Sequence, residues 1–162
     1  MKKLFFASLL VTLAAVAALP PVMMAIAEED ERVPPVTDPV VLKECGACHM
    51  VFQPAFLPAR SWQKIMDGLK DHFGENAELD PAVAKKISDY LSAHAAGGFS
   101  HSMRGMIGAD APLRISEMPW FVQKHERKGR ISPSALLRAK AKSKADCAAC
   151  HPDAAKGIYE DD

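Results

Sequence analysis

The chain has 162 residues, no formal net charge at pH 7, 49% hydrophobic and 25% charged residues. That is the balance of an ordinary soluble protein. It excludes a strong basic excess, and with no interleaving of aromatic and basic residues it gives no sign of nucleic-acid binding.

In chain order, the first element is not part of the fold. Lys2 and Lys3 precede an almost purely apolar run over residues 4–19, and "AIA" at 25–27 supplies small residues just before the acidic "EEDE". This is the pattern of a secretory signal peptide cut after Ala27. An uncleaved anchor is the rival, but the run is short against the roughly 20 residues that a membrane span needs. The mature chain is then about 135 residues, enough for one domain or two very small ones. No other segment has the length and apolarity to span a membrane, and the expected location is the periplasm.

Residues 28–37, "EEDERVPPVT", are charged and broken by proline, which predicts a flexible arm. Asp38 followed by Pro39 is a helix cap and a favoured first helical residue, so a short helix should run through "VVLKE" and deliver Cys45. The following "MVFQPAFLPAR" has large apolar residues between prolines and predicts no regular element. Phe52, Phe56 and Leu57 would be a greasy loop in isolation but fit as the wall of an apolar cofactor.

Ser61 is the expected start of a second helix. Trp62, Ile65, Met66, Leu69 and Phe73 fall on one helical face, His72 lies on that face, and Gly74 is the natural stop. Asp80–Pro81 is another cap and start, for a helix with Val83, Ile87, Tyr90, Leu91 and His94 on one side. Residues 97–162 hold too few large apolar side chains for a conventional core. Short helices are expected around "EMPWFVQKH" and from Ser132 and Pro133 through "SALLRAKAKSK". The Lys- and Arg-rich stretch 124–144 reads as a solvated face or as a docking patch for an acidic partner. No stretch alternates as a strand does.

All four cysteines lie in two copies of one motif, "CGACH" at 45–49 and "CAACH" at 147–151. Two disulfides, a thioredoxin-like pair and a four-sulfur zinc site are the alternatives. The redox pair lacks its βαβ setting, and the two copies are about 100 residues apart, far wider than a zinc ribbon. None of these explains a histidine after both pairs. Haem c does. Two cysteines form thioethers to the two vinyl groups, and the adjacent histidine reaches the iron. Cys45, Cys48 and His49 are thus assigned to one covalently bound haem c, and Cys147, Cys150 and His151 to a second.

The remaining ligand candidates are His72, His94, His101 and His125, with Met50, Met66, Met103, Met106 and Met118. In single-haem cytochromes c of the first class, the N-terminal helix ends in CxxCH and a final helix packs across it. The sixth ligand comes from the segment just before that final helix. The helices ending near Glu44 and spanning 81–94 resemble this pair, which makes His72 the first choice and His94 its competitor. Little chain follows His151, so its partner must lie upstream. His125, with Phe121 and Val122 on its side of a helix, leads over His101 and Met103.

The chain resembles the small bacterial dihaem cytochrome c family over most of residues 40–162. The resemblance is carried by "CGACHMVFQPAFLPARSW", "LKDHFGENAELD", "ISDYLSAH" and "CAACHPDAAKGIY". It implies a mainly α fold, with a class I cytochrome c-like part (38–96) and an irregular, haem-wrapped part (97–162). It also implies two close low-spin haems, ligated by His49 with His72 and by His151 with His125. His94 in "LSAHAAGG" departs from that pattern. Family members are linked to an oxygen-binding monohaem cytochrome and to b-type membrane cytochromes as redox partners.

Two strong protein ligands on each iron leave no open position for oxygen, peroxide or nitrite. Replacing methionine sulfur by imidazole favours Fe(III). The expectation is a low-potential periplasmic electron carrier and not an enzyme. The competing readings are a small dihaem subunit of a periplasmic reductase such as nitrate reductase, and a haem enzyme or gas-binding protein with one open iron.

Overall fold

The computed structural model describes residues 32–96, 112–126 and 131–159. Residues 1–27, read as a signal peptide, and His101, Met103 and Met106 lie outside the described residues.

Helix α1 (Pro39–Cys45) begins where the sequence demands. The Asp38 carboxylate accepts from the Val40 and Val41 amides at 2.8 and 3.2 Å, and Pro39 follows it. Helix α3 (Pro81–Ala93) repeats the device, with Asp80 accepting from Ala82 and Val83 at 2.9 and 3.4 Å. Between them, α2 (Ala59–Asp67) packs along α3, which also touches α1.

Helix α2 starts two residues before the expected Ser61 and stops well short of Gly74. Pro58 occupies its N-cap, and Gly68 ends it by donating its amide to the Lys64 and Ile65 carbonyls at 3.1 Å. Glycine is a poor helix former and a good terminator. A 3-10 turn, Leu69–Asp71, follows. Phe73 then adopts a positive φ of 58° and lies exposed, so the single helical face drawn through Trp62 and Phe73 does not exist.

The second half is built of short pieces. A 3-10 turn (Ile115–Glu117) leads into α4 (Pro119–Phe121), which widens into a π-turn (Val122–Glu126). Helix α5 (Pro133–Ala139) is capped by the Ser132 hydroxyl, which accepts from Ala135 at 3.1 Å. It ends at Lys140 in the left-handed conformation and does not run on through Lys144 as expected. Among the described residues the only extended pairings are isolated bridges, Arg32 with Ile158, Pro58 with Ala96 and His72 with Glu75.

One core joins the two halves. Val41, Leu57, Trp62, Ile65, Ile87 and Leu91 from the first pack in one cluster with Ile115, Met118 and Phe121 from the second. The boundary at residue 97 is therefore not a boundary of the core. The few large apolar residues of the second half are spent on it.

The arm expected over 28–37 is not free where it is described. The Val33 amide donates to the Gly157 carbonyl at 2.8 Å, Val36 is buried, and the Thr37 amide donates to the Tyr90 hydroxyl at 3.2 Å. Gly157 has φ +78°, and a Cβ there would meet the Val33 carbonyl oxygen at 1.9 Å. Only glycine fits this crossing.

Candidate haem sites

The first CxxCH motif is delivered by the end of α1. The second is one turn of its own: Cys147–Ala149 forms a 3-10 turn, and the His151 amide donates to the Cys147 carbonyl at 2.8 Å. No disulfide joins the four cysteines. Among the described residues no three His, Cys, Asp or Glu side chains converge as a bare metal site would require.

Each motif histidine instead faces one other histidine. His49 and His72 have ring centres 6.3 Å apart and planes 18° from parallel. His125 and His151 have the same separation, 6.3 Å, with planes at 85°. A metal bound to one nitrogen of each ring at about 2 Å, with about 1.1 Å from nitrogen to ring centre, sets the centres roughly 6.2 Å apart. Both pairs therefore leave room for one iron between them.

Hydrogen bonds orient three of the rings considered. His49 donates its Nδ1 hydrogen to the Met50 carbonyl at 2.7 Å, and His125 donates its own to the Phe121 carbonyl at 3.0 Å. A ring that donates through Nδ1 presents Nε2 as the bare lone pair a metal needs. Burial, with added repulsion from His49 and Arg114, lowers the His72 imidazole pKa from its ordinary value, which favours the neutral form. His94 also donates, to the Tyr90 carbonyl at 2.8 Å, but it is exposed and stacks on Tyr90 with ring centres 4.3 Å apart. Among the described residues it faces no second histidine ring.

His72 reaches its place by a route the helical reading missed. The turn after α2 closes on itself, with the His72 amide donating to Glu75 at 2.7 Å and the Gly74 amide to the Asp71 carboxylate at 2.9 Å. The Arg114 guanidinium lies 4.2 Å from the centre of the Phe73 ring. His72 is thus held by a tight turn and not by a helix face.

The loop expected to wall one haem serves both histidine pairs. Phe52 stacks on His49 at 5.0 Å. The 3-10 turn Pro54–Phe56 follows, and Phe56 lines the cavity of the other pair. That cavity, about 570 Å³, is bounded by Phe56, Trp120, Phe121, Leu136, Tyr159 and the residues Cys147, Cys150, His125 and His151. Leu57 lies in the shared core. Met118 is buried in that core and Met66 packs against it, so both are filler.

The model of the family described as "Dihaem cytochrome c" matches residues 41–159. The chain belongs to the dihaem cytochrome c family.

A diheme cytochrome c from Rhodobacter sphaeroides is 46% identical, with a TM-score of 0.69, over 78% of this chain and 99% of that one. A crystal structure of DHC purified from the same organism is also 46% identical, with a TM-score of 0.61, over 76% and 98%. The diheme cytochrome sb-DHC from Shewanella baltica OS155 is 34% identical, with a TM-score of 0.59, over 75% and 86%. No curated protein sequence matches the chain.

As a member of this family, the cytochrome carries two covalently bound haem c groups. The donor set suits them. Two cysteine pairs, each followed by histidine, supply the attachment, and a ring on the far side of each pair stands at the separation an iron requires. Two residues of the second site escaped sequence reasoning, Gln53 and Tyr159. Gln53 is a buried polar residue in an apolar loop, and nothing local marks the partners it finds more than a hundred positions away.

Proposed function

We propose that this cytochrome is a low-potential periplasmic electron carrier whose two haem irons are each held between two imidazoles, His49 with His72 and His125 with His151. The observation that carries the reading is the common 6.3 Å spacing of the two pairs. Haem c supplies one-electron chemistry by cycling its iron between Fe(III) and Fe(II). The chain's contribution is to fill both faces of each site with neutral nitrogen donors, which excludes exogenous ligands and favours Fe(III) relative to His/Met ligation.

The shared core and the shared loop 50–57 support two sites held in fixed relation, so that an electron arriving at one can leave from the other. For export, the reading rests on the signal-peptide pattern of residues 1–27. No helix among the described residues is long and apolar enough to cross a membrane. The partners remain those the family suggests, an oxygen-binding monohaem cytochrome or a b-type membrane cytochrome. Leu137 is 79% exposed and is flanked by exposed Arg138, Lys140 and Lys142, while its neighbour Leu136 lines the second cavity. That basic rim around an apolar point suits an acidic partner face.

Exposure of the purified protein to CO and cyanide at neutral pH tests the reading. The expected result is no rapid binding to either iron. Rapid, stoichiometric binding to one iron moves the protein to the class of haem enzymes or gas-binding proteins.

A further inference from the structure

We propose that Gln53 is a positioning residue for the second haem, acting through Tyr159 to set the rotation of the His151 ring. The inference rests on the reading of His125 and His151 as ligands.

His49 and His125 have their ring rotation fixed by hydrogen bonds from Nδ1 to backbone carbonyls. His151 does not: its Nδ1 is buried with no hydrogen-bond partner among the described residues. The rotation of that ring is left to what packs on it. Tyr159 does so edge-on, with ring centres 5.5 Å apart and planes at 66°.

Tyr159 is itself held from two sides. Its ring meets Phe56 edge-on at 5.2 Å, and its hydroxyl donates to the Gln53 side-chain oxygen. Gln53 is fully buried, and the other end of its amide donates to the Ala154 carbonyl at 2.8 Å. Ala154 lies three residues after His151, in the turn whose amide donates back to the His151 carbonyl at 3.0 Å. Both ends of one amide thus grip the segment that carries His151 and the ring that backs it. A buried amide with both ends committed is rigid, because any rotation leaves a buried polar group unpaired.

The position of Gln53 adds a consequence. It lies between Phe52, which stacks on His49, and Phe56, which packs on Tyr159. The loop that walls the first site therefore orients a ligand of the second. In metal sites the groups that orient a ligand tune the metal as well as hold it.

The test uses the full holoprotein with Tyr159→Phe, which keeps the ring and removes the hydroxyl, and Gln53→Leu. Ferric EPR and a potentiometric titration read both haems, with the His49/His72 haem as internal control. The expected result is a changed g anisotropy and a shifted midpoint for the His125/His151 haem in both variants, with the other haem unmoved. The double variant should shift no further than Gln53→Leu alone. An unchanged second haem in both single variants overturns the proposal, as does an equal change at both haems. A high-spin second iron in the wild-type protein overturns the ligand reading itself, and the proposal with it.

Discussion

The imidazole planes of His125 and His151 stand 85° apart, close to perpendicular, whereas those of His49 and His72 are within 18° of parallel. An imidazole interacts with the iron π orbital perpendicular to its own plane. Parallel rings act on the same orbital and split the pair, while crossed rings act on one each and leave the two nearly equal. The ferric protein should therefore show two different low-spin EPR signals, one rhombic and one of much larger g anisotropy. Two identical rhombic signals would rule out the crossed arrangement.

Changing one distal ring at a time should change one haem at a time. His72→Met replaces imidazole nitrogen by thioether sulfur, which raises the potential of the iron it faces. His125→Ala removes a donor and leaves a high-spin iron that takes CO or cyanide. Optical redox titration checks the first and EPR with CO difference spectra the second. If both variants keep wild-type spectra, the ligands are other residues.

The ends of this fold were legible in the sequence and its joints were not. Asp38–Pro39 and Asp80–Pro81 mark helix starts because the cap chemistry is local, and the structure places both helices there. The helical phase that points to His72 is cancelled by Gly68, yet His72 faces His49 because the tight turn after α2 aims it there. His94 was expected on the inner face of α3. The helix ends at Ala93, so His94 falls on the cap and turns out to solvent. Phe56 reads as the wall of a haem, but nothing in "FQPAF" says which one, and the structure puts it on the cavity of the second pair.

Contacts distant in sequence were the least legible. The crossing of Val33 over Gly157 and the clasp of Gln53 on Tyr159 each join segments more than a hundred residues apart. Neither leaves a periodic trace, since each rests on a single residue in an irregular segment. The apparent scarcity of core in the second half had the same origin. Ile115, Met118 and Phe121 are few, but they pack into the first half's cluster and need no core of their own.

Gly157→Ala should be strongly destabilising. The new Cβ meets the Val33 carbonyl oxygen at 1.9 Å on a backbone with φ +78°. Strain and the broken Val33–Gly157 hydrogen bond together should cost about 3 kcal/mol. Thermal melting of the holoprotein reads the loss, and hydrogen exchange at the Val33 amide locates it. A variant that melts as the wild type does and keeps that amide protected would show that the segment 32–36 does not cross there in solution.

Charge around the outer face of α5 should govern association rate and leave the haems alone. Arg138, Lys140 and Lys142 are exposed, and Lys144, also exposed, is paired with Glu126. Reversing Arg138, Lys140 and Lys142 to Glu should slow oxidation by anionic ferricyanide by about tenfold at low ionic strength, where steering is strongest. The difference should shrink as salt rises and the screening length falls from about 30 Å at 0.01 M to about 10 Å at 0.1 M. Both midpoint potentials should move far less than the rate does, because Leu136 and Lys144 line the second cavity and the three changed residues do not. Stopped-flow oxidation across a salt series separates steering from driving force. A rate ratio that does not move with salt would place the entry or exit point elsewhere on the molecule.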